Sequence, residues 1–172
     1  NTVGFLVEPI QGEGGVIIPH EGFLKEAYDI CQEHNVLFIA DEIQTGFGRT
    51  GKMFACHHEG VKADITIVGK ALSGGFYPVS AVLSDRGVLG LFHPGDHGST
   101  YSGTAIATAA AIAVLQEMQR IDAPRCAAER GAELATKLAA VPGDGTPLWP
   151  GGEGEVEARG HAQRPAALRV CP

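Results

Sequence analysis

The chain is short of positive charge, of aromatic residues and of long apolar runs. Its 13 Lys and Arg face 20 Asp and Glu, for a formal net charge of −7. That balance argues against a nucleic-acid partner held mainly through phosphates. Aromatics make up 6% of the chain, with a single Trp. No apolar stretch approaches the roughly 20 residues that span a bilayer, so no membrane partner is expected. No charged-then-apolar leader opens the sequence, and a cytoplasmic location is the expectation. The cysteines are Cys31, Cys56, Cys126 and Cys171, widely spaced and without a CxxC. This argues against a disulfide framework or a structural zinc site and favours reduced thiols. His57, His58, His93 and His97 lack nearby carboxylate or cysteine ligands in a metal-site pattern, so no metal is expected.

What is present fits a soluble globular domain. Of 172 residues, 44% are hydrophobic and 19% charged, enough for one domain with a buried core. Residues 3–7, 36–40, 65–68 and 79–83 read as buried strands. Residues 22–34 recur at helical spacing through Phe23, Leu24, Ala27, Tyr28 and Cys31. An Ala-rich stretch over 104–119 predicts a closely packed, buried helix, and 124–140 a more amphipathic one. Continuous apolar strands with helices between some of them predict an α/β fold whose sheet is covered on both faces. In such sheets ligands bind at the carboxyl ends of the strands. Three of the strands end in ionisable groups, at Glu8, Asp41 and Lys70.

Composition breaks after residue 140. Residues 141–172 hold six Gly and five Pro in 32 positions, and no Ile, Phe, Tyr, Met, Lys or Asn. The expected division is therefore 1–140 as the folded part and 141–172 as an aberrant, disordered tail. A shifted reading frame in GC-rich DNA gives the same bias; sequencing the gene across codon 140 tests that origin.

Lys70 is the only one of five lysines placed where an apolar strand stops. A lysine at the lip of a dry pocket can lose its proton, and the neutral amine attacks aldehydes. A solvated surface lysine is the plainer reading. Asp41 also ends a strand, where a buried carboxylate needs a partner; a protonated ring nitrogen is one. Asp41-Glu42 equally resembles the metal-binding strand of P-loop ATPases. A near-miss phosphate loop, GFGRTGK at 46–52, sits close by. Met53 stands where Ser or Thr would hold magnesium, and the loop follows no strand directly. Ser99-Thr100 before a helix reads locally as an N-cap. Capping and phosphate binding use the same helix-end amides, so the two are compatible.

Four blocks carry a resemblance in order and spacing: VEPIQGE at 7–13, FIADEIQTG at 38–46, IVGKALSGG at 67–75 and HGSTY at 97–101. They resemble consecutive blocks of the class III pyridoxal-phosphate aminotransferases. SGGFYPVSA at 73–81 and GDHGST at 95–100 are most similar to the ornithine aminotransferases among them. The resemblance covers residues 1 to about 140. It implies a partial large domain of the fold-type I pyridoxal-phosphate enzymes, a three-layer α/β/α unit with a mostly parallel sheet. By the same resemblance Lys70 is the catalytic lysine that carries the cofactor and shuttles a proton. Asp41 pairs with the pyridinium nitrogen, Ile43 packs on the ring and Gln44 bonds the phenolic oxygen. Glu8 lies near the cofactor. Ser99 and Thr100 reach the phosphate of a neighbouring subunit, which implies a homodimer. Glu13 pairs with an arginine that also binds a substrate carboxylate.

The implied reaction moves the ω-amino group of an amino acid, ornithine first, to the cofactor and then to a 2-oxo acid. Acetylornithine or 4-aminobutyrate are the alternative donors. Family members carry a phosphate-binding turn and an aromatic ring-stacking residue that this sequence lacks. Completion by a separately encoded N-terminal half, or an inactive fragment acting as an interaction module, are therefore the competing expectations.

Overall fold

A computed structural model describes residues 1–140; the tail expected over 141–172 lies outside the described residues. The four expected strands form one sheet, β1 (Gly4–Val7), β2 (Leu37–Asp41), β3 (Ile65–Val68) and β4 (Ala81–Ser84), in the order β1-β2-β3-β4. β1 and β3 both run parallel to β2, and β4 runs antiparallel to β3. The parallel β1–β2 pair needs a crossover, supplied by α1 (Phe23–Glu33). β2 and β3 are joined by a turn and a short 3-10 helix, Ala55–Glu59, which periodicity did not predict. Register places Val7 opposite Ala40, Asp41 opposite Ile67 and Val68 opposite Ala81. The carboxyl ends of β1, β2 and β3 and the start of β4 thus share one edge.

Side chains alternate across the strands. One face sends Phe5, Val7, Phe38 and Ala40 into a core with Leu24, Cys31, Cys56 and Val61. Phe38 is fully buried, with ring centroids 5.9 Å from Phe5 and 5.7 Å from Tyr28. Burying such a ring stabilises the fold by about 1.5–3 kcal/mol. α1 lays its apolar stripe on this face and ends at Glu33 with His34 as its cap; Asn35 follows at a φ of 53°, which stops the helix. On the opposite face Leu6 and Val82 are 60% and 50% exposed.

The remaining helices are α2 (Arg86–Leu89), α3 (Ala105–Ile121) and α4 (Ala123–Ala139). The expected burial of the Ala-rich helix does not hold. Only Ala107 and Met118 of α3 are buried, while Ile106 is 56% and Ile112 51% exposed. Among the described residues α3 packs on the 3-10 turn Lys70–Ser73 and on α4, which cover only part of its apolar surface. At the first contact, a Cβ on Gly74 would sit 2.9 Å from Val114 Cγ2.

The glycine loop 46–52 is a packing element. Gly48 and Gly51 have φ of 82° and 94°, with Pro124 and Ala128 of α4 directly against them. Lys52 Nζ donates to the His57 carbonyl at 3.0 Å, so this lysine is engaged away from any phosphate cradle. His58 Nε2 lies 3.0 Å from the Thr50 carbonyl, which can only accept, so the ring nitrogen donates. Burial lowers the His58 pKa below its ordinary 6.5. The folded state then binds this proton less readily than the unfolded chain. The stability contributed is present above pH 6.5 and is lost as pH falls through the lower folded value. Thermal melts of the wild type should therefore weaken on going from about pH 7 to about pH 5. His58→Gln should flatten that slope, and an unchanged slope would contradict this source of it.

Candidate functional site

The carboxyl edge of the sheet carries most of the residues expected to act. Lys70 follows buried Gly69 and opens a 3-10 turn, Lys70–Ser73. Its φ is 43°, in the left-handed region that a residue with a Cβ enters at a cost of about 1–3 kcal/mol. Lys70 is exposed. The dry pocket imagined for it is, among the described residues, an open one. Lys70 and Ser99 line the same cavity, of about 660 Å³, together with Ser73, Tyr77, Ser80 and Tyr101. Thr100 follows Ser99 but does not line it. The N-cap reading of Ser99-Thr100 is overturned. α3 starts at Ala105, and Thr104 caps it, accepting from the Ala107 amide at 3.4 Å. Ser99 and Thr100 sit in the preceding turn, too far from the first helical amides to cap them.

Asp41 ends β2 half-buried, and its Oδ1 accepts from the Ile43 amide at 3.0 Å. Ile43 lies beside the third strand's end: a Cβ on Gly69 would meet Ile43 Cγ2 at 3.5 Å and Ser80 Cβ at 3.6 Å. Ile43 thus bridges Asp41 and the residue before Lys70. Gln44 Nε2 donates to Glu13 Oε1 at 3.0 Å. Glu8 Oε2 accepts from the Gly12 amide at 3.1 Å. A Cβ on Gly12 would overlap the end of the Gln44 side chain, which would have to move away from Glu13 to make room. Glu8, Glu13 and Gln44 form one group that joins the loop after β1 to the turn after β2. The arginine expected to pair with Glu13 belongs to the part of the family's fold that follows residue 140; among the described residues Glu13 is held by Gln44.

One residue of consequence was missed. Glu42 is fully buried, and its carboxyl accepts from Thr45 Oγ1, from the Ala55 amide at 3.0 Å and from the Cys56 amide at 2.8 Å. Burial, and then the charge of Glu42, push the Cys56 thiol well above its ordinary pKa. The strand alternation says that Asp41 and Glu42 face opposite ways, but not which side is covered.

Chemically the edge offers three functions: an amine for an aldehyde, a carboxyl for a ring N–H, and hydroxyls and turn amides for an anion. A sequence profile described as Aminotransferase class-III matches residues 1–144. An ornithine aminotransferase from Halalkalibacterium halodurans is 56% identical over 138 residues, which are 80% of this chain and 35% of that protein. The structure of an acetylornithine aminotransferase from Elizabethkingia anophelis has a TM-score of 0.76 at 53% identity, over 79% of this chain and 36% of that one. An ornithine aminotransferase from Toxoplasma gondii gives 0.77 at 43% identity, over 81% and 34%. The chain therefore spans about a third of the length of the relatives it matches. With a profile that reaches from its first residue to residue 144, the chain belongs to the class-III aminotransferase family.

Proposed function

We propose that this chain carries the lysine-bearing part of a pyridoxal-phosphate aminotransferase that takes the ω-amino group of ornithine and passes it to a 2-oxo acid. The observation that supports the reading best is the joint placement of Lys70, Ile43 and Asp41 at one sheet edge. The residues fit the cofactor's chemistry. An amine and several hydroxyls share a cavity of about 660 Å³, within the usual size of small-molecule sites. A carboxyl stands on the adjacent strand end. The Toxoplasma gondii relative shows partial occupancy of PLP at its active site.

Bound there, pyridoxal phosphate supplies an electron sink for the amino acid's Cα or ω-carbon. In this proposal Lys70 Nζ holds the cofactor and moves the substrate proton as a general base. Asp41 accepts a hydrogen bond from the ring N–H and keeps that nitrogen protonated. Ile43 packs on the ring and excludes water from one side. The Gln44 amide serves the phenolic oxygen, and Glu8 lines the approach. By the family resemblance Ser99 and Thr100 would donate to the phosphate held by a partner subunit in a homodimer, so the hydroxyls that serve the cavity of their own chain in this proposal are those of Ser73, Tyr77, Ser80 and Tyr101. Glu13 helps to choose the substrate, through its own charge and its hold on Gln44. The cytoplasm is the proposed compartment, in keeping with free thiols at Cys31, Cys56 and Cys126. Among the described residues no helix is long and apolar enough to cross a membrane.

The likeness to an acetylornithine aminotransferase makes the amino donor the point to test. The cofactor-loaded chain should transfer the amino group of ornithine to 2-oxoglutarate faster than that of acetylornithine or 4-aminobutyrate. Faster turnover of acetylornithine would replace the proposed substrate. If no donor reacts even with a co-expressed N-terminal half, the inactive-fragment reading stands instead.

A further inference from the structure

We infer that Glu42, which lies outside the cavity of Lys70, is the positioning residue for the turn that carries Asp41, Ile43 and Gln44. The inference rests on the proposed reading of that turn as cofactor-facing, and deepens it. Residue 42 is held at five points. Its carboxyl accepts from Thr45 Oγ1 and from the Ala55 and Cys56 amides. Its own amide donates to the Ile67 carbonyl at 2.9 Å, and its carbonyl accepts from the Gly46 amide at 2.8 Å. Gly46 is so close that a Cβ there would sit 2.7 Å from that carbonyl oxygen.

These bonds tie the end of β2 to β3, to its own turn and to the 3-10 helix Ala55–Glu59. Asp41, by contrast, is half-buried, and its side chain holds only the Ile43 amide among the hydrogen bonds found. Successive strand residues point to opposite sides. The turn is therefore clamped from its buried side and leaves Asp41 available on the other. A fully buried carboxyl is costly unless every lone pair it presents is satisfied. This one is used to fix backbone, and the backbone it fixes is the segment that bears the three proposed cofactor contacts.

The test is Glu42→Gln in the 172-residue chain, without cofactor, read by amide hydrogen exchange. Glutamine keeps the volume but offers one acceptor oxygen to three donors, so buried donors lose partners. Protection at Ala55 and Cys56 should fall roughly ten- to a hundredfold. The positioning role predicts that the Ile43 amide, which makes no bond to residue 42, falls with them. Phe5 and Ile39, whose amides lie in the β1–β2 ladder, should stay at the wild-type level. The dissociation constant for pyridoxal phosphate should rise by about tenfold. Unchanged protection at Ile43 would overturn the inference and leave Glu42 a local clamp. Uniform loss, with Phe5 and Ile39 included, would overturn it as well. If Glu42→Gln does not fold, Thr45→Val removes a single donor, and Ile43 must still lose protection or the inference fails. A wild-type chain that binds no pyridoxal phosphate would sink the proposed function while the exchange result still decides the role of Glu42.

Discussion

In the proposed function, replacing Lys70 by alanine is expected to lower ornithine transamination by at least about a thousandfold, because it would remove both the covalent attachment and the proton-transferring base. The same change should leave the fold intact. Lys70 is exposed, and none of the hydrogen bonds or ion pairs of the described residues involves its amine. Its backbone, however, sits at a φ of 43°. Alanine keeps that strain and glycine relieves it. Lys70→Gly should therefore be about 1 kcal/mol more stable than Lys70→Ala, measured by denaturant midpoint. Equal stability of the two would show that the left-handed backbone carries no cost. Retained activity in either variant would remove Lys70 from the chemistry.

Truncation of Phe38 to alanine carries the largest expected loss of stability, about 3–5 kcal/mol. The ring is fully buried between β1 and α1, against Phe5 and Tyr28. The cavity left behind is lined by strands that cannot close on it without breaking register. A loss of that size is a large share of the roughly 5–15 kcal/mol by which a domain is stable. Val82→Ala is the matched control. Val82 is 50% exposed on the opposite face, and its loss should cost no more than about 0.5 kcal/mol. Comparable losses at the two sites would mean that the core does not lie where α1 meets the sheet.

The strands were legible because their apolar runs are short and bounded by Gly, Pro or charge, and each observed strand overlaps the expected one. Lys70 and Asp41 were legible for the same reason: each stands where such a run stops. The left-handed backbone of Lys70 was not, since a single lysine after a glycine carries no signal for it. Glu42 was hidden by range. Its amide partners lie 13 and 14 residues away, in a 3-10 helix too short for periodicity to reveal. The Glu13–Gln44 bond spans 31 residues and two loops, beyond any local pattern. α3 was read as buried because Ala, Ile and Val dominate it. Composition reports what a helix can bury, whereas its exposure here depends on which surfaces are present to cover it. The cap at Thr104 was missed in favour of Ser99-Thr100 because all three residues suit the role, and only the helix start decides between them.

The central claim is that Lys70, among five lysines, is the one that holds the cofactor. The most direct measurement is borohydride reduction of the chain incubated with pyridoxal phosphate, followed by peptide mapping. The account predicts label on the peptide that contains Lys70, with Lys25, Lys52, Lys62 and Lys137 unlabelled, and loss of that label when ornithine is added before reduction. Label spread over several lysines, or its persistence in Lys70→Ala, would contradict it.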